Sequence, residues 1–324
     1  MDQLIALIGQ YKSLGIDTQI DYEKFYLYSI ITHSTAIEGS TVTEMENQLL
    51  FDEGISARGK TIMEQMMNLD LKRAYEKSSA LAKAHADITV AVLKDLSRLV
   101  MQHTGSDYKS PLGEFSSANG DLRLVNVTAG AGGKSYMNFQ KVPSELEAFC
   151  RWLNARRTQE MPLAERYKLS FEAHYRLVTI HPWADGNGRM ARLLMNHIQF
   201  EFGLVPAKVL KEDKGEYINA LVAARETGDM SPFFSFMTGE MLKTLSADRD
   251  AFLRSMEGSG EKKLKSREKI AELLRGHPEY SARQLAEIIG ITEKGVEKQL
   301  ARLKAEGRLR RDGPDKGGNW RVLD

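Results

Sequence analysis

The chain has 324 residues and a mass of 36.5 kDa, room for two or three domains with a sizeable core. Its 42% hydrophobic and 27% charged residues are ordinary for a globular protein, and a net charge of +1 gives no overall pull toward nucleic acid or a membrane. Met1-Asp2-Gln3-Leu4-Ile5 lacks the basic start of a secretory signal, no window approaches about eighteen uninterrupted apolar residues, and the lone Cys150 excludes an intramolecular disulfide or a cysteine-based zinc site. A cytoplasmic protein without a membrane segment is expected.

Leu4, Ile5, Leu7, Ile8, Tyr11 and Leu14 recur at helical intervals, and residues 21–37 repeat the pattern through Phe25, Tyr28, Ile31 and Ala36. Both read as amphipathic helices. Gly39 suits the C-terminal stop of the second, on which Ser34 and Glu38 share a face. Thr43 and Glu46 form a capping box that opens a short helix to about residue 51. Longer helices fit 60–85 and 89–103, with Ile62, Met66, Leu69, Ala74 and Leu81 on the first apolar face and Val92, Leu93, Leu96 and Val100 on the second. His85 and His103 fall near the ends of these helices, positions that account for them without a metal. The period then changes: 121–127 alternates as a strand, 128–134 is a glycine-rich turn, and 135–139 returns as a second strand. Helices resume at 143–157 and 163–179. Cys150 reads as a small core residue on the first, and His174 as a packed residue on the second.

The second of these helices delivers the chain to His181-Pro182-Trp183-Ala184-Asp185-Gly186-Asn187-Gly188-Arg189-Met190-Ala191-Arg192. Gly186 and Gly188 let backbone N–H groups approach an anion, and the helix that starts near Asn187 adds free N–H groups and a favourable dipole. Arg189 and Arg192, three apart, present two guanidinium forks on one face to successive phosphates. Asp185 offers the hard oxygen that Mg²⁺ on a polyphosphate prefers, and His181 is the natural general base.

This window resembles the signature of Fic-domain proteins, His-Pro-Phe-x-Asp/Glu-Gly-Asn-Gly/Lys-Arg followed by a second arginine, with Trp183 in place of the usual phenylalanine. Ser34, Glu38 and Gly39 are similar to the family's inhibitory motif, Ser/Thr-x-x-x-Glu-Gly/Asn. The resemblance implies that Glu38 pairs with Arg192 and occupies the place of the γ-phosphate of ATP. It also implies that the hairpin at 121–139 is a flap bordering the active site, where an extended segment of a target protein pairs by strand addition. Tyr217, on a helix read at 214–225, sits where the family often has a tyrosine close to the nucleotide base.

The remaining signals are punctuation and charge. Gly203 and Pro206 stop the signature helix, and Ser231-Pro232 opens a helix to about residue 256. Glu257-Gly258-Ser259-Gly260 reads as a linker. Residues 261–324 hold 16 Lys+Arg against 11 Asp+Glu, so positive charge is segregated there. Helices at 265–275, 281–289 and 293–305 and a terminal hairpin resemble a winged helix-turn-helix, with Thr292 as N-cap of a recognition helix and 316–318 at the wing tip. Arg308, Arg310 and Arg311 are candidates for DNA phosphates, while Glu293 and Glu297 on the leading turn leave docking of a protein or a second copy equally open.

The expected fold is mainly α, a Fic-type helical bundle with a β-hairpin flap and a small winged-helix domain. Its parts are an N-terminal helical region (1–105), a catalytic core (106–256), the linker (257–260) and the tail (261–324). The expected activity is transfer of AMP from ATP, with Mg²⁺, to a Ser, Thr or Tyr hydroxyl of a protein target, the chain itself included. His181 would be the base, Asp185 the metal ligand, and Gly186, Asn187, Gly188, Arg189, Arg192 and Tyr217 the nucleotide contacts, with Ser34 and Glu38 as the brake. The rivals are removal of AMP in the same site, another phospho-donor, or a DNA-binding regulator whose Fic part only senses nucleotide.

Overall fold

The computed structural model describes residues 1–324 apart from 130–134, 314–317 and 324, and apart from the side chains of 255–265. The chain divides into two compact units, Met1–Ala247 and Asp248–Asp324. The first contains α1 (Asp2–Ser13), α2 (Phe25–Ile37), α3 (Glu44–Asp52), α4 (Ile62–Lys83) and α5 (Val90–Met101), then the antiparallel strands β1 (Asp107–Ser110) and β2 (Gly113–Ser116). It continues with α6 (Val142–Arg157), α7 (Leu163–Ile180), α8 (Asn187–Glu201), α9 (Lys214–Thr227) and the start of α10 (Ser231–Gly276). The second unit holds α11 (Ala282–Ile289), α12 (Glu293–Ala305) and the antiparallel pair β3 (Leu309–Asp312) and β4 (Asn319–Val322).

α8 lies at the centre of the first unit. Twelve of its fifteen residues are buried, polar and apolar alike. Met190, Leu193, Leu194 and Ile198 join one core with Leu71 and Tyr75 of α4, Leu93 and Leu96 of α5, Leu146 and Leu153 of α6, and Leu169 and Leu177 of α7. Because α8 has no solvated face, its polar side chains find partners inside. Tyr75 donates to Asn196 Oδ1 (2.7 Å), Asn196 Nδ2 donates to the Ala207 carbonyl (2.7 Å), and Gln199 Nε2 donates to Ser170 Oγ (3.0 Å). These bonds fix its rotation about its own axis.

The N-terminal helices belong to this core. Tyr26, Leu27, Ile30 and Ile31 lie in the same cluster, so no boundary separates 1–105 from the remainder of the unit. α2 is buried on nearly every face, where the periodicity reads as amphipathic. Its C-terminal end is fixed by a buried amide and hydroxyl network. Thr35 Oγ1 and Asn47 Nδ2 both donate to Asn68 Oδ1 (2.8 and 2.9 Å), while Asn68 Nδ2 donates to Ser40 Oγ (3.1 Å). The capping box at Thr43 and Glu46 is present and a second forms at Thr61 and Glu64, whose carboxylate also accepts from the Thr41 N–H (2.8 Å).

Three expectations change. The segments 121–127 and 135–139 do not form strands: a single antiparallel bridge joins Thr128 to Ser135, supported by the Tyr136 N–H on the Val127 carbonyl (3.0 Å). The buried Arg123 side chain takes the Val125 and Met137 carbonyls and so replaces ladder bonds. The regular hairpin lies earlier, at β1 and β2, where four-residue strands rich in polar side chains carry little period-2 signal. The third change is at 257–260, which continues α10 as helix. Strong helix formers flank the two glycines there, and about 1 kcal/mol for each glycine does not end the helix. The turn at 130–134 and the expected wing tip at 316–317 lie outside the described residues.

The second unit has its own core of Ile270, Leu274, Leu285, Val296, Leu300, Leu303, Leu309 and Trp320. Thr292 caps α12 by accepting from the Gly295 N–H (3.2 Å). The Trp320 N–H bonds the Pro278 carbonyl (2.8 Å), which ties β4 to the end of α10.

The network around Asn68 yields a stability prediction. Asn68→Ala leaves Thr35, Asn47 and Ser40 without their shared partner in a buried site, and should lower stability by about 2–3 kcal/mol in urea titration. A loss under about 0.5 kcal/mol would mean that water replaces the amide.

Candidate active site

His181 ends α7 with φ +52°, a left-handed conformation uncommon for a residue with a side chain. The surroundings enforce it. The His181 N–H bonds the Leu177 carbonyl (3.0 Å), and the His181 carbonyl accepts from Arg123 Nε (2.7 Å). The Tyr136 ring stacks on the imidazole at a centroid distance of 3.7 Å and an interplanar angle of 16°. Nδ1 lies 3.3 Å from the Val178 carbonyl, which assigns the proton to Nδ1 and leaves the Nε2 lone pair free. Burial pushes the imidazole down to about 4; the Val178 carbonyl opposes this, and the Arg123 and Arg225 charges reinforce it. His181 is therefore a neutral base near pH 7.

The loop beyond it is locked by two side chains. Trp183 is fully buried and its indole N–H bonds the Gly120 carbonyl (3.2 Å), so the pocket that usually takes phenylalanine accommodates the larger ring. Asn187 closes the loop on itself, accepting from the Trp183 N–H (3.1 Å) and donating to the Trp183 carbonyl (2.9 Å). Its side chain is thus engaged in shaping the loop. Gly186 takes φ +80° at the N-cap of α8, and a Cβ there would stand 2.7 Å from Met101 Sδ.

Arg189 and Arg192 are each about 3% exposed. Arg189 Nη2 reaches Met101 Sδ (3.0 Å) and lies 3.7 Å from Asp185 Oδ1, while its Nε and Nη1 have no partner. A buried cation with unpaired N–H groups and only a thioether and a distant carboxylate beside it calls for an anion. Arg192 is satisfied from α2. Its Nη2 donates to Glu38 Oε1 (2.6 Å) and to the Ser34 carbonyl (3.0 Å), and its Nε donates to Ser34 Oγ (2.8 Å). Gly188 makes room for that pair, since a Cβ there would stand 2.8 Å from Glu38 Oε1. Burial alone would raise the Glu38 carboxyl, but Arg192, with help from Arg189 and Lys214, holds it below the usual carboxylate range.

Tyr217 is placed differently from expectation. It is 1% exposed, with its hydroxyl on His174 Nε2 (2.8 Å) and its ring 5.9 Å from the Arg192 guanidinium, so it backs the arginine and presents no open face to a base. His174 is packed as expected, stacked on Phe233 and pushed down to about 3 by burial and by Arg192. His103 bonds the buried Asp70 (2.6 Å), and His85 pairs with Glu201 (3.3 Å). The Cys150 thiol is buried and pushed up to about 11 by burial, as a core thiol would be.

Beside His181 opens a cleft lined by Ala129, Tyr136, Tyr175, Val178, Thr179, Ile218, Leu221, Val222 and Arg225. Arg225 lies 5.2 Å from the Tyr136 ring and its Nε has no partner. Largely apolar walls with two tyrosines and one guanidinium suit a flat heteroaromatic group. Met101, Arg123, Tyr136 and Arg225 carry no motif in the sequence. They reach the site through tertiary contacts alone.

The histidine-led loop and the buried central helix with its two interior arginines lie in a segment similar to a known family. Residues 87–199 match the model of the Fic/DOC family. Fic-1 from C. elegans superposes with a TM-score of 0.58 at 25% identity, covering 71% of this chain and 64% of its own. A Fic family protein from Desulfovibrio desulfuricans shares the fold with a TM-score of 0.61 at 21% identity, over 99% of this chain and 94% of its own. Protein adenylyltransferase Fic of Drosophila melanogaster is 30% identical over 250 residues, 74% of this chain and 45% of the fly protein. Protein adenylyltransferase fic-1 of Caenorhabditis briggsae is 30% identical over 217 residues, 66% of this chain and 39% of the worm protein. The chain spans less than half the length of those curated relatives.

The His181 environment predicts an NMR titration midpoint near 4. Protonation then costs stability. The folded state binds this proton less readily than the unfolded state, so the contribution of His181 is full above the ordinary value of 6.5 and is lost as pH falls from 6.5 toward 4. A midpoint at or above 6.5 would contradict a buried neutral base.

Proposed function

We propose that this chain is a Fic enzyme that transfers AMP from ATP to a hydroxyl of a protein side chain and is restrained by Glu38. The observation that carries the reading is the buried Arg189 with two unpaired nitrogens, Nε and Nη1, on the helix that begins six residues beyond a neutral histidine. That combination suits an anion whose phosphorus is attacked by a nucleophile relieved of its proton. The names of the fly and worm relatives, protein adenylyltransferase, support it.

In this reading the target hydroxyl oxygen attacks the α-phosphorus as His181 Nε2 accepts its proton. The bond from the α-phosphorus to the oxygen bridging to the β-phosphate breaks, and pyrophosphate leaves. Arg189 and the N–H groups at Asn187 and Gly188 meet the phosphate charge, the Gly186 N–H being spent on Asp185 Oδ1 (2.6 Å), and the cleft beside Tyr136 takes the adenine. Asp185 suits Mg²⁺ in its donor chemistry: a half-exposed carboxylate oxygen beside Arg189, which phosphate oxygens and water would complete. Mg²⁺ would supply charge neutralisation on the leaving phosphates. Arg192 would take the γ-phosphate once Glu38 withdraws.

The test is transfer of label from α-labelled ATP. Glu38→Gly should raise labelling of protein at least about tenfold, and His181→Ala in that background should lower it by about 10²–10⁴. Equal labelling with and without the histidine would overturn the reading.

For the second unit we propose a winged helix that contacts duplex DNA through α12. Lys294, Lys298 and Arg302, four residues apart, are exposed along one side of it. Of the expected arginines, Arg310 is tied to Asp312 (2.9 Å) and Arg311 lies 4.7 Å from the Trp320 ring, so α12 rather than β3 is the better source of phosphate contacts. With Glu293 and Glu297 exposed beside them, the contacts suit the backbone and not base edges. Lys298→Ala should weaken binding evenly across duplex sequences and flatten the logarithmic salt dependence by about 0.9. Absence of binding to duplex DNA at low salt would overturn this second proposal.

A further inference from the structure

Arg123 is 1% exposed and donates to carbonyls from three parts of the chain. Nε bonds His181 (2.7 Å), Nη1 bonds Val125 (2.8 Å) and Nη2 bonds Met137, while the Arg123 backbone N–H bonds Pro182 (3.0 Å). Val125 and Met137 lie on opposite limbs of the 121–139 segment, either side of the bridge between Thr128 and Ser135. One rigid fork therefore joins both limbs of the flap to the carbonyl of the candidate base itself.

Two features give that junction a consequence. The left-handed backbone of His181 costs of order 1–3 kcal/mol and persists only where its surroundings over-determine it. Arg123 bonds His181 and Pro182, the two residues that carry the chain out of the turn. The residue before Met137 is Tyr136, whose ring covers the imidazole. The limb that Arg123 pins is thus the limb that delivers the stacking ring.

We propose that Arg123 is a positioning residue that couples the flap to the catalytic base, so that the seating of the flap and the aim of His181 are set together. This rests on the transfer reading. Arg123 has no contact with the phosphate-binding arginines, whose partners come from α2, Met101 and Asp185. Loss of the fork should therefore misaim the base and leave the phosphate-binding arginines in place, with only the Tyr136 wall of the cleft loosened. Lysine keeps the charge but is a point donor that cannot span three carbonyls.

The experiment compares Arg123→Lys and Arg123→Gln with their parent, all in the Glu38→Gly background. ATP affinity is measured by calorimetry, transfer by α-labelled ATP, and the Tyr136–His181 ring contact by the nuclear Overhauser effect. Expected are a kcat lowered about 10- to 100-fold, an ATP Kd raised by no more than about fivefold through the loosened Tyr136 wall of the cleft, and loss of the ring contact in both variants. A kcat within twofold of the parent, or equal losses in ATP affinity and kcat with the ring contact kept, would overturn the proposal. If the Glu38→Gly parent itself transfers no label, the transfer reading fails, and the ring contact alone decides whether Arg123 holds the flap on His181.

Discussion

Two guanidinium groups carried into the protein interior are the constraint on which the rest of the first unit depends. Arg189 and Arg192 ride on α8, which is packed by α4, α5 and α7 and has almost no solvated surface. Burying a cation is costly unless something anionic or strongly dipolar meets it. For Arg192 the answer comes from α2, through the Ser34 hydroxyl, the Ser34 carbonyl and the Glu38 carboxylate. For Arg189 it is a thioether and a carboxylate at 3.7 Å, and the N–H groups of Nε and Nη1 go unmet. The site is thus half satisfied, and the unsatisfied half is the part a phosphate would complete.

The candidate base is set by a second constraint, backbone strain. His181 has to leave α7 in a left-handed turn for the loop to re-enter α8 at Gly186. Trp183 and Asn187 hold that loop, one by filling a buried pocket and the other by bonding both backbone groups of Trp183. Arg123 holds it from the flap side. The burial that comes with such packing also keeps the imidazole neutral, so strain, packing and protonation state are one arrangement seen three ways.

How much of this was legible depends on whether a residue acts locally. The loop from His181 to Arg192 could be read directly, because glycine spacing, helix start and arginine spacing are near-neighbour properties. Ser34 and Glu38 were legible as a pair on one helix face; that both meet Arg192, more than 150 residues away, rested on resemblance alone until the contacts were seen. Arg123 was hidden by its own context, since in an alternating stretch an arginine reads as the solvated side of a strand. Tyr217 shows the reverse: the resemblance implies a contact near a nucleotide base, and packing beside His174 and Phe233 makes it part of the wall behind Arg192. At 257–260 local glycine content lost to the helix propensity of the flanking sequence, as short-range signals often do over a long helix.

The chemistry of the proposed brake is a consequence of its placement. A carboxyl whose folded value is depressed contributes stability above its ordinary value of 4.5 and loses it only as pH falls through the lower folded value. Mild acid therefore does not lift Glu38 from Arg192. Nor can the side chain leave alone at low cost, because departure strands a buried guanidinium. Two routes remain: an anion that replaces the carboxylate on Arg192, or a displacement of the end of α2. The second is resisted by the Thr35–Asn47–Asn68–Ser40 network and by Glu64 on the Thr41 backbone, both within a few residues of Glu38. Those groups tie α2 to α3 and α4, so whatever shifts the N-terminal ends of α3 and α4 also shifts the carboxylate. The proposed restraint is in this sense a property of the packing of three helices, with Glu38 as the point where it meets the site.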